Sequence, residues 1–202
     1  GNPTKAMGEF TFPVLAGSKG PDQWRLDAEL AGGGALMDVG VYPLNTTRYL
    51  LGVDPVAVDA MARATEPFGS QPDDPESPRF ADEHVHVLAE FPTGTVGEFT
   101  ASFSGDADSW LEIVGSDGRI RLENAFVPGG DRTVRVSTAA GQVEFSDVGA
   151  DETVEEFDYV AHCVLTETPP EPDGRDGLTD VAVSEAVYEA AETGERTPVE
   201  RY

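Results

Sequence analysis

The chain has 202 residues, enough for one large domain or two small ones, and carries 38 acidic side chains against 13 lysines and arginines, a formal net charge of −25. That balance excludes direct nucleic-acid binding, because no basic stripe exists to meet phosphates. No apolar run reaches the length of a membrane span, and a single cysteine, Cys163, excludes an internal disulfide framework.

The acids are dispersed rather than gathered in a tail, and lysine occurs only twice, at Lys5 and Lys19. Such a surface suits strong brine, where salt screens its self-repulsion. An acidic nucleic-acid mimic or a calcium module would share the composition. A calcium site, however, needs clustered ligands such as an EF-hand loop, and the sequence has none. The lone cysteine, and a start at residues 1–5 without the charged and apolar regions of a secretory leader, predict a cytoplasmic protein.

In chain order, residues 8–15 alternate as a strand that Pro13 ends, and 16–23 form a Gly/Ser/Pro/Asp loop. Residues 24–30 suggest a short turn ahead of Gly32, Gly33 and Gly34. From 35 to 51, Leu36, Val39, Leu44 and Leu50 support a helix closed by Gly52, with Pro43 bending it one turn below Tyr42. A strand is expected over 55–64, then a solvated loop over 66–80 with four prolines. Strands follow over 84–91, 95–103, 109–115, 119–123, 133–137 and 142–145, joined by tight turns as in an antiparallel meander. Two helices end the chain, over 153–167 and 177–192, the second closed by Gly194. Cys163 falls in the first of them as a small core residue. No internal repeat or long linker divides the chain. The predicted fold class is α+β: a largely antiparallel, open-faced sheet with helices packed on one face.

The most informative stretch is 32–45. Three glycines run into a helix that places Asp38 and Tyr42 four residues apart, so both side chains lie on one face. A carboxylate beside a phenol at a Gly-rich turn can bind a hydroxylated substrate or move its proton. Equally, Asp38 can cap or pair a cation, and Tyr42 can fill the core with its hydroxyl satisfied. The glycines lack the Gly-x-Gly-x-x-Gly spacing of a dinucleotide cradle, and no Walker loop, zinc spacing or Gly-x-Ser-x-Gly elbow occurs. His84 and His86 share one face of a strand but lack an evident third metal ligand.

Residues 32–52, Gly-Gly-Gly-Ala-Leu-Met-Asp-Val-Gly-Val-Tyr-Pro-Leu-Asn-Thr-Thr-Arg-Tyr-Leu-Leu-Gly, resemble the C-terminal domain of the glucose–fructose oxidoreductase / inositol dehydrogenase / MocA family. Trp24-Arg25-Leu26-Asp27, Glu90-Phe91-Pro92-Thr93-Gly94, Thr100-Ala101-Ser102-Phe103, Asp176-Gly177-Leu178 and the run from Glu185 to Gly194 match the same pattern in order. The resemblance implies that residues 1–202 are a single C-terminal substrate-binding and oligomerisation domain. The N-terminal Rossmann domain, with its Glu-Lys-Pro lysine, would be absent from this chain. It implies NAD or NADP as cofactor of the intact protein and none in this chain. It also implies a sugar substrate and a homo-oligomer through the open sheet.

Many members carry Asp-x-x-x-His where this chain has Asp38 and Tyr42, and aspartate where it has Asn45. Both departures resemble the branch of glucose–fructose oxidoreductase and xylose dehydrogenase, which ranks aldoses ahead of inositol. By resemblance, Tyr42 and Asp38 are the catalytic candidates, Arg25 and Asn45 are candidate sugar-hydroxyl ligands, and the triple glycine lets backbone and substrate approach. The competing reading is a non-catalytic carbohydrate-binding or oligomerisation module.

Overall fold

Alternation sets the sheet. In β3 (His84–Glu90) Val85, Val87 and Ala89 are buried while His86, Leu88 and Glu90 are exposed, so one face is core and the other open. The computed structural model describes all residues except 18–19, 21–22, 66–67, 69–80, 147–148, 150 and 202. The proline-rich loop expected over 66–80 therefore lies, apart from buried Phe68, outside the described residues.

Among the described residues, nine strands form one sheet: β1 (Pro3–Thr11), β2 (Ala57–Arg63), β3, β4 (Val96–Ser102), β5 (Asp108–Gly115), β6 (Gly118–Glu123), β7 (Thr133–Thr138), β8 (Gly141–Phe145) and β9 (Thr197–Pro198). Their order is β8-β7-β6-β5-β1-β4-β3-β2-β9. Each strand expected from alternation is present, but the pure meander is not. β1 lies at the centre, parallel to β4 and antiparallel to β5. It also starts at Pro3, five residues before its alternating stretch. Pro3, Thr4 and Lys5 carry no apolar pattern; backbone pairing on both sides extends the strand, and Lys5 pairs with Glu98 at 2.8 Å. Proline is tolerated at the first position of a strand, where its missing N–H costs least.

The helices are α1 (Ala28–Ala31), α2 (Val41–Leu51), α3 (Glu152–Thr166) and α4 (Gly174–Thr193). Asp151 and Asp173 cap α3 and α4 by accepting their first amides, and Gly52 and Gly194 close α2 and α4 in the left-handed conformation. α2 packs on β1, and α4 packs on β2, on the same face as the buried core. α3 buries Cys163 and exposes most of its other side chains. Burying Leu36, Val58, Val85, Phe91 and Val187 stabilises the layer pair by about 1.5–3 kcal/mol each, as an upper bound.

One expected element differs in kind. The 35–51 helix is a π-helical turn, Leu36–Gly40, followed by the regular α2. Pro43 thus sits in the first turn of α2, which continues the π turn without a break, and the irregularity lies before it. Proline has no amide for the Val39 carbonyl and would crowd it in a regular helix; the wider π turn provides the room. Pro43 also packs on the sheet: a side chain at Gly8 would place its Cβ 2.8 Å from the Pro43 Cβ.

Candidate active site

The glycines serve the fold before they serve any ligand. Gly32 closes α1 at φ 76°, a conformation that disfavours other residues. A side chain at Gly33 would overlap the Tyr188 hydroxyl, and one at Gly34 would overlap the Asp82 backbone and come within 2.8 Å of the Ala81 carbonyl carbon. The approach expected for substrate is therefore occupied by Asp82 and Tyr188. Gly34 N–H and Leu36 N–H donate to the Asp82 carboxylate at 2.7 and 2.8 Å, and the Tyr188 hydroxyl donates to it at 2.6 Å. Burial pushes the Asp82 carboxyl up from its ordinary value, against the pull of these hydrogen bonds.

Asp38 lies within the π turn, and its carboxylate meets Arg25 at 2.8 Å. Arg25 sits in the one-turn 3-10 segment Trp24–Leu26, with its guanidinium 4.7 Å from the Trp24 ring centroid. That segment is tied down by Gln23, whose buried amide donates to the Val14 and Gly20 carbonyls.

Tyr42, in the first turn of α2, is 48% exposed. Its ring meets Phe10 edge-on at 5.6 Å and Phe126 at 6.0 Å, so two aromatic rings from the sheet side fix its plane. Among the described residues its hydroxyl makes no hydrogen bond, and none links it to Asp38. The structure thus joins Arg25 to Asp38 and leaves the Tyr42 hydroxyl free near them in sequence. The wide π turn between them replaces the regular helix on which the pair was expected.

Asn45 is corrected. Its amide donates to Asp180 at 2.7 Å and Asp176 at 3.3 Å on α4, not into the Arg25–Asp38 group. The cause is Arg48, nearly buried between α2 and α4, which pairs with Asp54 at 2.9 Å, Asp176 at 3.0 Å and Asp180. Two carboxylates held beside one guanidinium leave oxygens over, and Asn45 satisfies them. Burial pushes Asp180 above its ordinary value although Arg48 pulls it down.

A cleft of about 600 Å³ lies beside Asn45, Arg48 and Tyr159, and one of about 540 Å³ lies on the sheet around Met7, Met61, Leu88 and Trp110; Asp38 and Tyr42 line neither. His84 bonds Ser102 and Ser104, and His86 bonds Thr100. Sequence reasoning missed Asp82, Tyr188, Phe10 and Phe126. Asp82 had one faint signal, an acid next to Ala81 at the mouth of a strand. Tyr188 lay in the family-like final helix, and the aromatic platform is assembled from residues over a hundred positions apart.

Over residues 3–200 the chain matches the family described as "Oxidoreductase family, C-terminal alpha/beta domain". It is 43% identical over 194 residues to D-xylose 1-dehydrogenase (NADP+) of Haloarcula marismortui, a match covering 96% of this chain and 51% of that protein. It is 27% identical over 184 residues to D-xylose 1-dehydrogenase (NADP+) 2 of Haloferax volcanii, covering 87% and 50%. Among solved structures it superposes on aldose-aldose oxidoreductase from Caulobacter crescentus, complexed with glycerol, with a TM-score of 0.83 and 29% identity, covering 98% of this chain and 56% of that one. The chain spans about half the length of the curated relatives it matches.

Proposed function

The chain belongs to the oxidoreductase family that shares this C-terminal α/β domain, and we propose that the whole protein is an NADP-dependent aldose dehydrogenase, with D-xylose the first substrate to try. The 43% identity to the haloarchaeal xylose dehydrogenase carries this reading, and the aldose-aldose oxidoreductase fold supports it. It also weighs against a stand-alone binding module.

In this reading the chain supplies the sugar side of the site. The half-exposed Tyr42 hydroxyl, held in plane by Phe10 and Phe126 and free of protein partners among the described residues, anchors the reacting sugar hydroxyl and takes its proton. Taking that proton requires the phenolate form, which a cation close by, from the other half of the protein, would stabilise. Asp38, fixed by Arg25, orients neighbouring hydroxyls, and Arg25 offers further donors to them.

The start of the site helix does not offer a dinucleotide a phosphate cradle. The amides at the start of the site helix, a natural phosphate cradle, are filled by the Asp82 carboxylate, which repels a phosphate. In this reading cofactor binding belongs to the other half of the protein. The open sheet face, where Met61 and Leu88 are exposed around Trp110, is the surface proposed for homo-oligomer contacts. The acidic surface and the haloarchaeal relatives support a halophilic cytoplasm as its setting.

The test is NADPH formation by the whole protein in molar KCl with D-xylose, other aldoses and inositol. Oxidation of aldoses ahead of inositol is expected; an enzyme that reduces neither NADP+ nor NAD+ with any of them contradicts the reading.

A further inference from the structure

Three consecutive amides open the site helix, and all three converge on one residue. Gly34 N–H donates to Asp82 Oδ1 at 2.7 Å, Ala35 N–H to the Asp82 carbonyl at 2.8 Å, and Leu36 N–H to Asp82 Oδ2 at 2.8 Å. From the opposite side, the Tyr188 hydroxyl of α4 donates to Oδ1 at 2.6 Å. The side chain is fully enclosed, with 0% exposure.

An ordinary capping side chain precedes its helix and bonds amides two or three residues on. Asp82 instead lies 46 and 48 positions from the amides its carboxylate holds, two residues before β3. The helix start is thus moored to the sheet rather than to its own loop. The fit is close, since neither Gly33 nor Gly34 can carry a side chain without moving Tyr188 or Asp82. Burying a carboxylate is unfavourable, and a helix start in reach of water needs no such group. What the arrangement adds is a fixed origin for the turn that follows. Leu36, the last moored residue, is the first of the π turn, and its carbonyl accepts from the Val41 amide across five residues. Asp38 lies inside that turn, and Tyr42 directly follows Val41.

We propose that Asp82 is the positioning residue of the site: by holding the Gly34, Ala35 and Leu36 amides it fixes the helix start against the sheet, and so sets where the Leu36–Gly40 turn places the Asp38 carboxylate and, beyond it, the Tyr42 hydroxyl. It touches neither substrate nor reacting atoms. Released, the helix start can shift on the sheet, which loosens the register of Asp38 against Arg25. The inference rests on the sugar-oxidising reading for its kinetic readout and is independent of it for its structural one.

The test compares Asp82→Asn with wild type in the whole protein. The asparagine keeps the shape but points an N–H2 at a backbone N–H. Two readouts are expected to move together. Exchange of the 34–41 amides, followed by mass spectrometry, rises at least tenfold relative to β3 and β4. The kcat for aldose oxidation falls at least tenfold per folded molecule, while KM for NADP+ stays within twofold. A residue serving stability alone lowers the melting temperature and moves neither ratio.

Tyr188→Phe removes one bond to the same carboxylate. It is expected to give two- to fivefold changes of the same sign in both readouts, so it decides the matter if Asp82→Asn does not fold. Unchanged 34–41 exchange relative to the strands, in whichever variant folds, overturns the proposal. A wild-type protein that oxidises no sugar overturns the functional reading instead, and the exchange measurement still decides the role of Asp82.

Discussion

Gly34→Ala is the sharpest perturbation of the site helix, because one methyl group has nowhere to go. Its Cβ would overlap the Asp82 carbonyl oxygen and amide nitrogen and come within 2.8 Å of the Ala81 carbonyl carbon. Those are backbone atoms, so no rotamer change relieves the overlap. Restoring normal contact requires the two segments to part by roughly 1 Å. Hydrogen bonds now at 2.7 and 2.8 Å then pass beyond bonding distance. Bonds to a charged group are each worth about 1.5–3 kcal/mol, so losing both costs about 3–6 kcal/mol, with a buried carboxylate left short of partners. Against a typical total of about 5–15 kcal/mol that is a large share. Gly32→Ala, two residues earlier, is the control. Its φ is 76° but nothing lies within 4 Å of an added methyl group, so it should cost only about 1–2 kcal/mol. Urea unfolding followed by circular dichroism in molar KCl measures both. A Gly34→Ala cost below about 1 kcal/mol, or no greater than that of Gly32→Ala, refutes the packing argument.

With a net charge of −25, the melting temperature should climb by on the order of 10 °C between about 0.1 M and 2 M KCl, as the Debye length contracts from about 10 Å to below about 3 Å; a flat profile contradicts a brine-adapted surface. Burial pushes the Glu83 carboxyl up, but hydrogen bonds from Ser104 and Thr65 and the charge of His84 outweigh it and hold the group below its ordinary value. Its stabilisation is therefore complete above the ordinary glutamate pKa of about 4.3 and is lost as pH falls through the lower folded value. The stability gap between wild type and Glu83→Gln should shrink over that interval, and a gap that widens on acidification refutes the assignment. Arg25→Met frees Asp38 from its partner at 2.8 Å and should raise KM for the sugar about tenfold, with melting changed by only a few degrees because the pair is partly exposed; an unchanged KM in a steady-state assay removes Arg25 from substrate binding.

Most of the sheet was legible because its residues obey a local rule. Val85, Val87 and Ala89 alternate with exposed partners, and β3 follows from that alone. β1 shows the limit: Pro3 to Lys5 are extended only because β4 and β5 hold them on both sides, which no local pattern records. The site divides in the same way. Asp38 and Tyr42 were visible from spacing and resemblance, and Arg25 from its place before the glycines. The π turn was not visible, because Leu36, Val39 and Leu44 satisfy helical spacing equally well in a regular helix. The contacts that surround it, Asp82 and Tyr188 at its start and Pro43 against Gly8 after it, are made across the fold. The partners of Asn45 were hidden for a related reason. Its position on the helix is close to that of the site residues, but the charge that claims it, Arg48 with Asp176 and Asp180, comes from packing against α4.

Tyr42 bears the proposed chemistry most directly. In the whole protein, NADPH production from D-xylose in molar KCl should be readily measured for wild type. In Tyr42→Phe it should fall at least tenfold in kcat, about 1.4 kcal/mol of transition-state stabilisation, with cooperative unfolding retained because the ring still packs on Phe10 and Phe126. A Tyr42→Phe enzyme turning over at the wild-type rate contradicts the role assigned to this hydroxyl.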